Sequence, residues 1–207
     1  MNIVKRNLGC LEVIVGPMFS GKSEELIRRL RRAEIARQKV QIFKPAIDRR
    51  HAPSEIISHS GLGIACDSVV TATEIMNKLQ PRAAVIGIDE AQFLGDALID
   101  ACTRLVSLGK RVIVAGLDTD FRGRPFRPMP HLLAVADEIT KLLAVCLRCG
   151  GPAVHTQRLV LNEELVVVGA TGMYESRCRR CFEPPPGPNE REDPLLLLSS
   201  RASASNR

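Results

Sequence analysis

The chain has 207 residues, 45% hydrophobic and 25% charged, which suits one domain with a sizeable core and room for a small appendage. That length excludes a motor with two full nucleotide-binding lobes. No apolar run nears the roughly 20 residues of a membrane span and no amino-terminal h-region is visible, so a soluble, cytoplasmic protein without membrane contact is expected. A net charge of +6 invites nucleic acid as a partner, and seven cysteines point to reduced thiols or a metal rather than disulfides.

In chain order, Leu11–Val15 is an apolar run closed by Gly16 and reads as a strand. Gly16-Pro17-Met18-Phe19-Ser20-Gly21-Lys22-Ser23 follows and matches GxxxxGK[ST] in full. It lies between a strand and the start of a helix, where backbone N–H groups and the helix N-terminus converge on phosphate oxygens. Gly16 and Gly21 allow an approach that a Cβ would block, Lys22 suits the β- and γ-phosphates, and the Ser23 hydroxyl suits Mg²⁺. A chance match in a glycine-containing turn would lack this flanking context. Residues 21–38 read as a helix with Leu26, Ile27, Leu30 and Ala33 on one face. Arg28, Arg29, Arg31, Arg32 and Arg37 fill much of the remainder as a solvated basic surface.

Val40–Phe43 is a second strand, ended by Pro45, and Ala83–Ile88 and Arg111–Leu117 are two more. Asp96–Leu108 supplies the crossover helix between the last two. Continuous Val/Ile runs separated by helices predict an α/β fold with an open, mainly parallel sheet of the P-loop NTPase type. Asp89 and Glu90 close the third run. Adjacent strand positions face opposite ways, which would leave Asp89 to hold Mg²⁺ and Glu90 to accept a proton from an attacking hydroxyl or water. A solvated pair of strand-end carboxylates is the plainer reading, and the neighbouring loop argues against it.

The character changes near residue 143. Cys146-x-x-Cys149 and Cys178-x-x-Cys181 offer four thiolates, the closed tetrahedral set of a structural Zn²⁺ site, with redox CxxC chemistry as the competitor. Between the pairs, Gln157–Leu161 and Leu165–Val168 read as a hairpin turning at Asn162-Glu163. The predicted organisation is an α/β domain over 1–142, a zinc-binding hairpin domain over 143–183 and a disordered tail over 184–207. The tail opens with prolines and carries a Leu195–Leu198 tetrad, read as a tail patch or weak partner contact rather than a specific docking element. Cys10, Cys66 and Cys102 read as small buried apolar residues.

These residues permit a small-molecule kinase, or a nucleic-acid-stimulated ATPase with a zinc ribbon, since Asp89-Glu90-Ala91-Gln92 is like the acid motif of helicases. A zinc-bearing nucleotide-binding adaptor leaves Glu90 unexplained. The missing second lobe, and the lack of aromatics among basic residues on which bases could stack, favour the kinase without nucleic acid as a partner.

Leu11 to Leu26, Asp89-Glu90-Ala91-Gln92-Phe93, Gly116 to Phe121, Val168-Gly169-Ala170 through Tyr174 and both cysteine pairs fall in register over residues 10–183. In this the chain resembles the zinc-containing, human-cytosolic-like (type II) thymidine kinases, its bacterial members above all. The resemblance implies transfer of the γ-phosphate of ATP to the 5′-hydroxyl of thymidine, with deoxyuridine as second substrate. It also implies a homotetramer and feedback inhibition by thymidine triphosphate. By matching positions, Gly16 to Ser23 with Asp89 and Gln92 would hold ATP, and Glu90 would be the base. Asp48 and Arg50 would approach the transferring group beside Lys22. Met18, Phe93, Leu117, Phe121 and Phe126 would surround the thymine, and Thr156, Leu165, Val166, Val167, Val168, Gly169 and Tyr174 would belong to a zinc-held lasso that closes over the nucleoside.

Overall fold

Burial on both faces explains the continuous apolar runs. The computed structural model describes residues 8–48, 55–57, 61, 63–160 and 172–184. Its elements run β1 (Cys10–Val15), α1 (Lys22–Ile35), β2 (Val40–Pro45), β3 (Glu55–Ile57), β4 (Gly63–Ala65), β5 (Asp67–Val69), α2 (Ala72–Lys78) and β6 (Val85–Ile88). A 3-10 turn (Ala91–Phe93), α3 (Ala97–Ser107), β7 (Arg111–Gly116), α4 (Met129–Val135) and β8 (Glu138–Lys141) follow. Six strands form a single sheet in the order β5-β2-β6-β7-β1-β8, with every neighbouring pair parallel.

Leu11, Val13 and Val15 join Ile86, Ile88, Val112 and Val114 under α2, α3 and α4. Ile14, Val85, Ile113 and Ala115 face Leu26, Ile27 and Leu30 of α1 on the other side. A sheet covered twice needs apolar side chains in both directions, so its inner strands show no alternation. Gly87 brings α1 close: a Cβ there would stand 2.7 Å from the Leu30 side chain. The four central strands and two of the helices thus fall where the sequence predicts them. The edge strands β5 and β8 and the seven-residue helices α2 and α4 escape that reading, because segments of three to seven residues are too short to display a period.

Arg29 departs from the expected solvated face of α1. It is 8% exposed, and its guanidinium donates to Glu12, Glu25 and Thr140, each at 2.7 Å. The cause is Glu12, an acid on the α1 side of a buried strand, which also accepts from Arg111 of β7. A carboxylate so placed must be neutralised by cations that reach it.

After the sheet come β9 (Ala144–Val145), β10 (Pro152–Ala153), β11 (His155–Arg158) and β12 (Tyr174–Arg177), paired as two antiparallel ribbons, β9 with β10 and β11 with β12. The predicted hairpin register is corrected here. Gln157 and Arg158 take Glu175 and Tyr174 as partners, so the strand opposite them lies later than Leu165–Val168. Tyr174–Arg177 has one apolar residue and gave no strand signal. The expected turn at Asn162-Glu163 lies outside the described residues, as do Leu165–Val168 and the tail from residue 185. Among the described residues no helix is long and apolar enough to cross a membrane.

Candidate active site

The candidate residues gather at the carboxyl ends of β1, β6 and β7, the edge at which open α/β sheets bind ligands. Beyond β1, Gly16 adopts φ 151°, and a Cβ on it would meet the Leu142 carbonyl oxygen at 2.4 Å. Gly21, at φ 82°, turns the chain into α1. Within the loop, Lys22 Nζ and Ser20 Oγ both donate to the Pro17 carbonyl, at 2.7 and 2.8 Å. The loop therefore closes on itself with the ammonium nearly buried.

Ser23 Oγ donates to Asp89 Oδ2 at 2.9 Å, which joins the start of α1 to the end of β6. Asp89 is 4% exposed, and its Oδ1 accepts the Glu90 N–H at 3.0 Å. The strand alternation expected to set the two acids on opposite faces does not apply to them. β6 ends at Ile88, before both, and Glu90 sits in the left-handed region at φ 48°, ψ 41°. For a residue with a side chain this conformation costs about 1–3 kcal/mol, the kind of strain that gathers at functional sites. Gln92 Nε2 donates to Glu90 Oε2 at 2.5 Å, while Gln92 Oε1 accepts the Leu117 N–H at 3.0 Å. Gln92, expected at the nucleotide, is engaged in fixing Glu90 against the end of β7.

Beside the acids, the rings of Phe93 and Phe126 meet edge to face with centroids 6.1 Å apart. Met18, Phe93, Leu117 and Phe126 are half-buried, whereas Phe121 and Tyr174 are buried. Thr156 Oγ1, on β11, accepts the Met18 N–H at 3.0 Å and so fastens the later ribbons to the glycine-rich loop. Asp48 is half-buried in the turn after β2, its N–H donating to the Pro45 carbonyl. Arg50, Leu165, Val166, Val167, Val168 and Gly169 lie outside the described residues.

Two residues of this region went unread in the sequence. Lys44, 1% exposed, donates from Nζ to the Glu55 carbonyl at 2.8 Å and ties β3 to the end of β2. A lysine inside an apolar strand was the available signal. Arg158, 8% exposed, touches both Phe121 and Tyr174, and no local pattern announces such a contact.

The four paired cysteines converge as predicted, with all four Sγ atoms within 4.8 Å of one another. Two tight turns present them: the Gly150 N–H donates to the Cys146 carbonyl, and the Cys181 and Phe182 N–H groups donate to the Cys178 carbonyl. Gly150, at φ 72°, supplies the left-handed step of the first turn. Backbone N–H groups, that of Cys178 foremost, pull the Cys146 thiol down to about 6, and the N–H of Cys181 foremost pulls Cys178 down. Hydrogen bonding to the Cys178 and Cys149 sulfurs pushes Cys181 up to about 12. The Cys149 and Cys178 sulfurs are 3.7 Å apart, against about 3.8 Å for the edge of a tetrahedron with Zn–S bonds near 2.3 Å. The donor set fits a soft tetrahedral ion such as Zn²⁺. Of the other cysteines, Cys102 is buried in α3 as expected, whereas Cys10 at the start of β1 and Cys66 are only half-buried.

A family model described as thymidine kinase matches residues 9–182, most of the chain and both parts of this site. The chain belongs to the thymidine kinase family. A curated thymidine kinase from Rhodothermus sp. (strain ITI 518) is 54% identical over 179 residues, covering 86% of this chain and 84% of the relative. Solved structures give fainter likenesses. Domain III of the Thermotoga maritima replication initiation protein DnaA is 14% identical with a TM-score of 0.39, covering 67% of this chain and 56% of that one. A replication initiator DnaA bound to AMPPCP and single-stranded DNA is 14% identical with a TM-score of 0.37, covering 64% and 40%. At that distance neither bears on what this family member binds.

Proposed function

We propose that this chain transfers the γ-phosphate of ATP to the 5′-hydroxyl of thymidine, with deoxyuridine as second substrate and Glu90 as general base. The observation that carries the assignment of roles is the continuous path Ser23–Asp89–Glu90–Gln92–Leu117, which runs from the glycine-rich loop to the half-buried apolar residues. One end suits phosphates and the other a base, with a single carboxylate between them. In the step itself the 5′-hydroxyl oxygen bonds to the γ-phosphorus and its proton passes to Glu90. The bond from the γ-phosphorus to the β–γ bridging oxygen breaks, and ADP leaves with that electron pair.

Gly16 to Ser23 hold the donor phosphates, Lys22 turning from the Pro17 carbonyl toward them, and Gln92 keeps Glu90 in place. Asp48 and Arg50 flank the transferring group. Ser23 Oγ and Asp89 Oδ2, already 2.9 Å apart, are the oxygens suited to Mg²⁺, which would neutralise charge on the β- and γ-phosphates. Met18, Phe93, Leu117, Phe121 and Phe126 surround the thymine. Thr156, Tyr174 and the segment Leu165, Val166, Val167, Val168 and Gly169 close over the nucleoside as a lasso.

The organisation follows: a P-loop kinase domain over 1–142, a lasso domain over 143–183 whose four cysteines hold structural Zn²⁺, and a tail over 184–207. The protein is cytoplasmic and homotetrameric, is inhibited by thymidine triphosphate, and engages neither membrane nor nucleic acid. The test is labelled ATP offered with each deoxynucleoside in turn, with single-stranded DNA as a parallel sample. Labelled thymidine monophosphate is the expected product. Phosphate released only when DNA is present, with no nucleoside product, would replace this reading with a DNA-stimulated ATPase.

A further inference from the structure

We infer that Arg158 is a positioning residue for the nucleoside, holding Phe121 and Tyr174 in a fixed relation across the junction between the sheet and the zinc-bearing segment. The inference rests on the nucleoside reading above, because Phe121 and Tyr174 matter here as walls of that site. Phe121 comes from the loop after β7, and Tyr174 opens β12. The Cζ atom of Arg158 lies 3.5 Å from the centroid of the Phe121 ring and 5.4 Å from that of Tyr174. Its Nη2 donates to the Tyr174 hydroxyl at 2.9 Å. One planar group therefore stacks on the first ring and grips the far end of the second.

The strand register makes this contact dependable. Arg158 and Tyr174 are direct partners in the β11–β12 ladder, so the distance between their backbones is set before the side chains meet. Phe121 is faced by a second guanidinium, that of Arg122, 4.9 Å from its centroid. An aliphatic side chain of similar volume would fill the space beside Phe121 without desolvating a charge. What arginine adds is direction: a flat face for the ring and in-plane donors for the hydroxyl at the same time. Lysine, with a single point of charge, satisfies one of these at most.

The chain has one tyrosine and no tryptophan, so ultraviolet emission reports on Tyr174 alone. The experiment compares Arg158→Met, Arg158→Lys and Tyr174→Phe with wild type in the full zinc-bearing chain. Steady-state thymidine phosphorylation is measured, and thymidine is titrated against tyrosine emission where Tyr174 is retained. Arg158→Met should raise the thymidine KM roughly tenfold, with ATP KM and kcat within about twofold of wild type. The emission midpoint should move by the same factor as KM. Arg158→Lys should fall between, Tyr174→Phe should raise thymidine KM by less, and combining Arg158→Met with Tyr174→Phe should add nothing to Arg158→Met alone.

A thymidine KM in Arg158→Met within about twofold of wild type overturns the inference, as does an equal rise in the KM for both substrates, the mark of a merely structural role. Should Arg158→Met fail to fold, an unchanged thymidine KM in both Arg158→Lys and Tyr174→Phe overturns it equally. Wild-type protein that makes no thymidine monophosphate overturns the substrate reading itself, before any variant is compared.

Discussion

Glu90 combines burial, strain and a held orientation in one side chain. Its backbone is left-handed, and Gln92 donates to its carboxylate across 2.5 Å. A group held this way is preorganised to receive a proton at one position, which is the use the proposed reaction makes of it. Glu90→Gln keeps the shape and removes the basicity. In that variant kcat should fall by about 100-fold or more, while the ATP dissociation constant from calorimetry stays within about twofold. Turnover close to wild type would take the role of base away from Glu90. Asp89 is poised for a different duty at the same spot, since its carboxylate is already shared between the Ser23 hydroxyl and the Glu90 N–H.

At the scale of elements, α1 carries the loop into the sheet, and charge fastens it as well as apolar contact. Arg29 links Glu25 on its own helix to Glu12 on β1 and Thr140 on β8. Hydrogen bonds from Arg28 above all, and from Arg29, hold the Glu25 carboxyl down at about 2, against an ordinary 4.5. Burial pushes Glu12 up, yet Arg111 and Arg29 together keep it below its ordinary value. For a depressed carboxylate the stabilisation is fully present above the unfolded value and is lost as pH falls through the folded one. Urea midpoints should therefore hold from pH 7 to about 5 and decline between about 4.5 and 2. Arg29→Met leaves Glu12 with Arg111 alone and should cost about 3 kcal/mol at pH 7, with a shallower decline in acid. A variant with wild-type stability and an unchanged acid limb would show that apolar packing alone seats the helix.

This network also marks where the sequence could be read and where it could not. The central strands and the Leu26, Ile27, Leu30, Ala33 face are legible because burial on a sheet or helix imposes a local pattern. The loop, the two acids and the cysteine pairs are legible because each is a short motif whose chemistry fixes its spacing. Arg29 looked like its exposed neighbours because its partner, Glu12, lies on another element. The bonds from Met18 to Thr156 and from Arg158 to Tyr174 join segments far apart in sequence or set by strand register, and no local rule encodes them. The hairpin register failed for the same reason, since β12 carries too few apolar residues to be read as a strand.

At the scale of the whole molecule, the sheet holds the loop and the acids, while the ribbons bring Thr156, Arg158 and Tyr174 to them. What joins the ribbons is the cysteine cluster, with Cys146 and Cys149 between β9 and β10 and Cys178 and Cys181 just after β12. Beyond Cys181 the chain is sewn back onto β11: Phe182 stacks on His155 with centroids 4.3 Å apart, and Gln157 exchanges two hydrogen bonds of 2.9 Å with the Glu183 backbone. Ribbons of two to four residues cannot hold themselves together, so a metal held by the four sulfurs would supply what their core lacks. Cys178→Ser, or exhaustive chelation of the wild type, should remove the metal by elemental analysis and raise the thymidine KM at least about tenfold. The ATP KM should change by less than about twofold, because Gly16 to Ser23 rest on β1 and α1 rather than on the ribbons. Loss of both affinities together would mean that the Thr156–Met18 bond carries the disorder of the ribbons into the loop, and the two parts would then have to be treated as one cooperative unit. Retained thymidine affinity in metal-free protein would separate the cysteine cluster from the nucleoside site altogether.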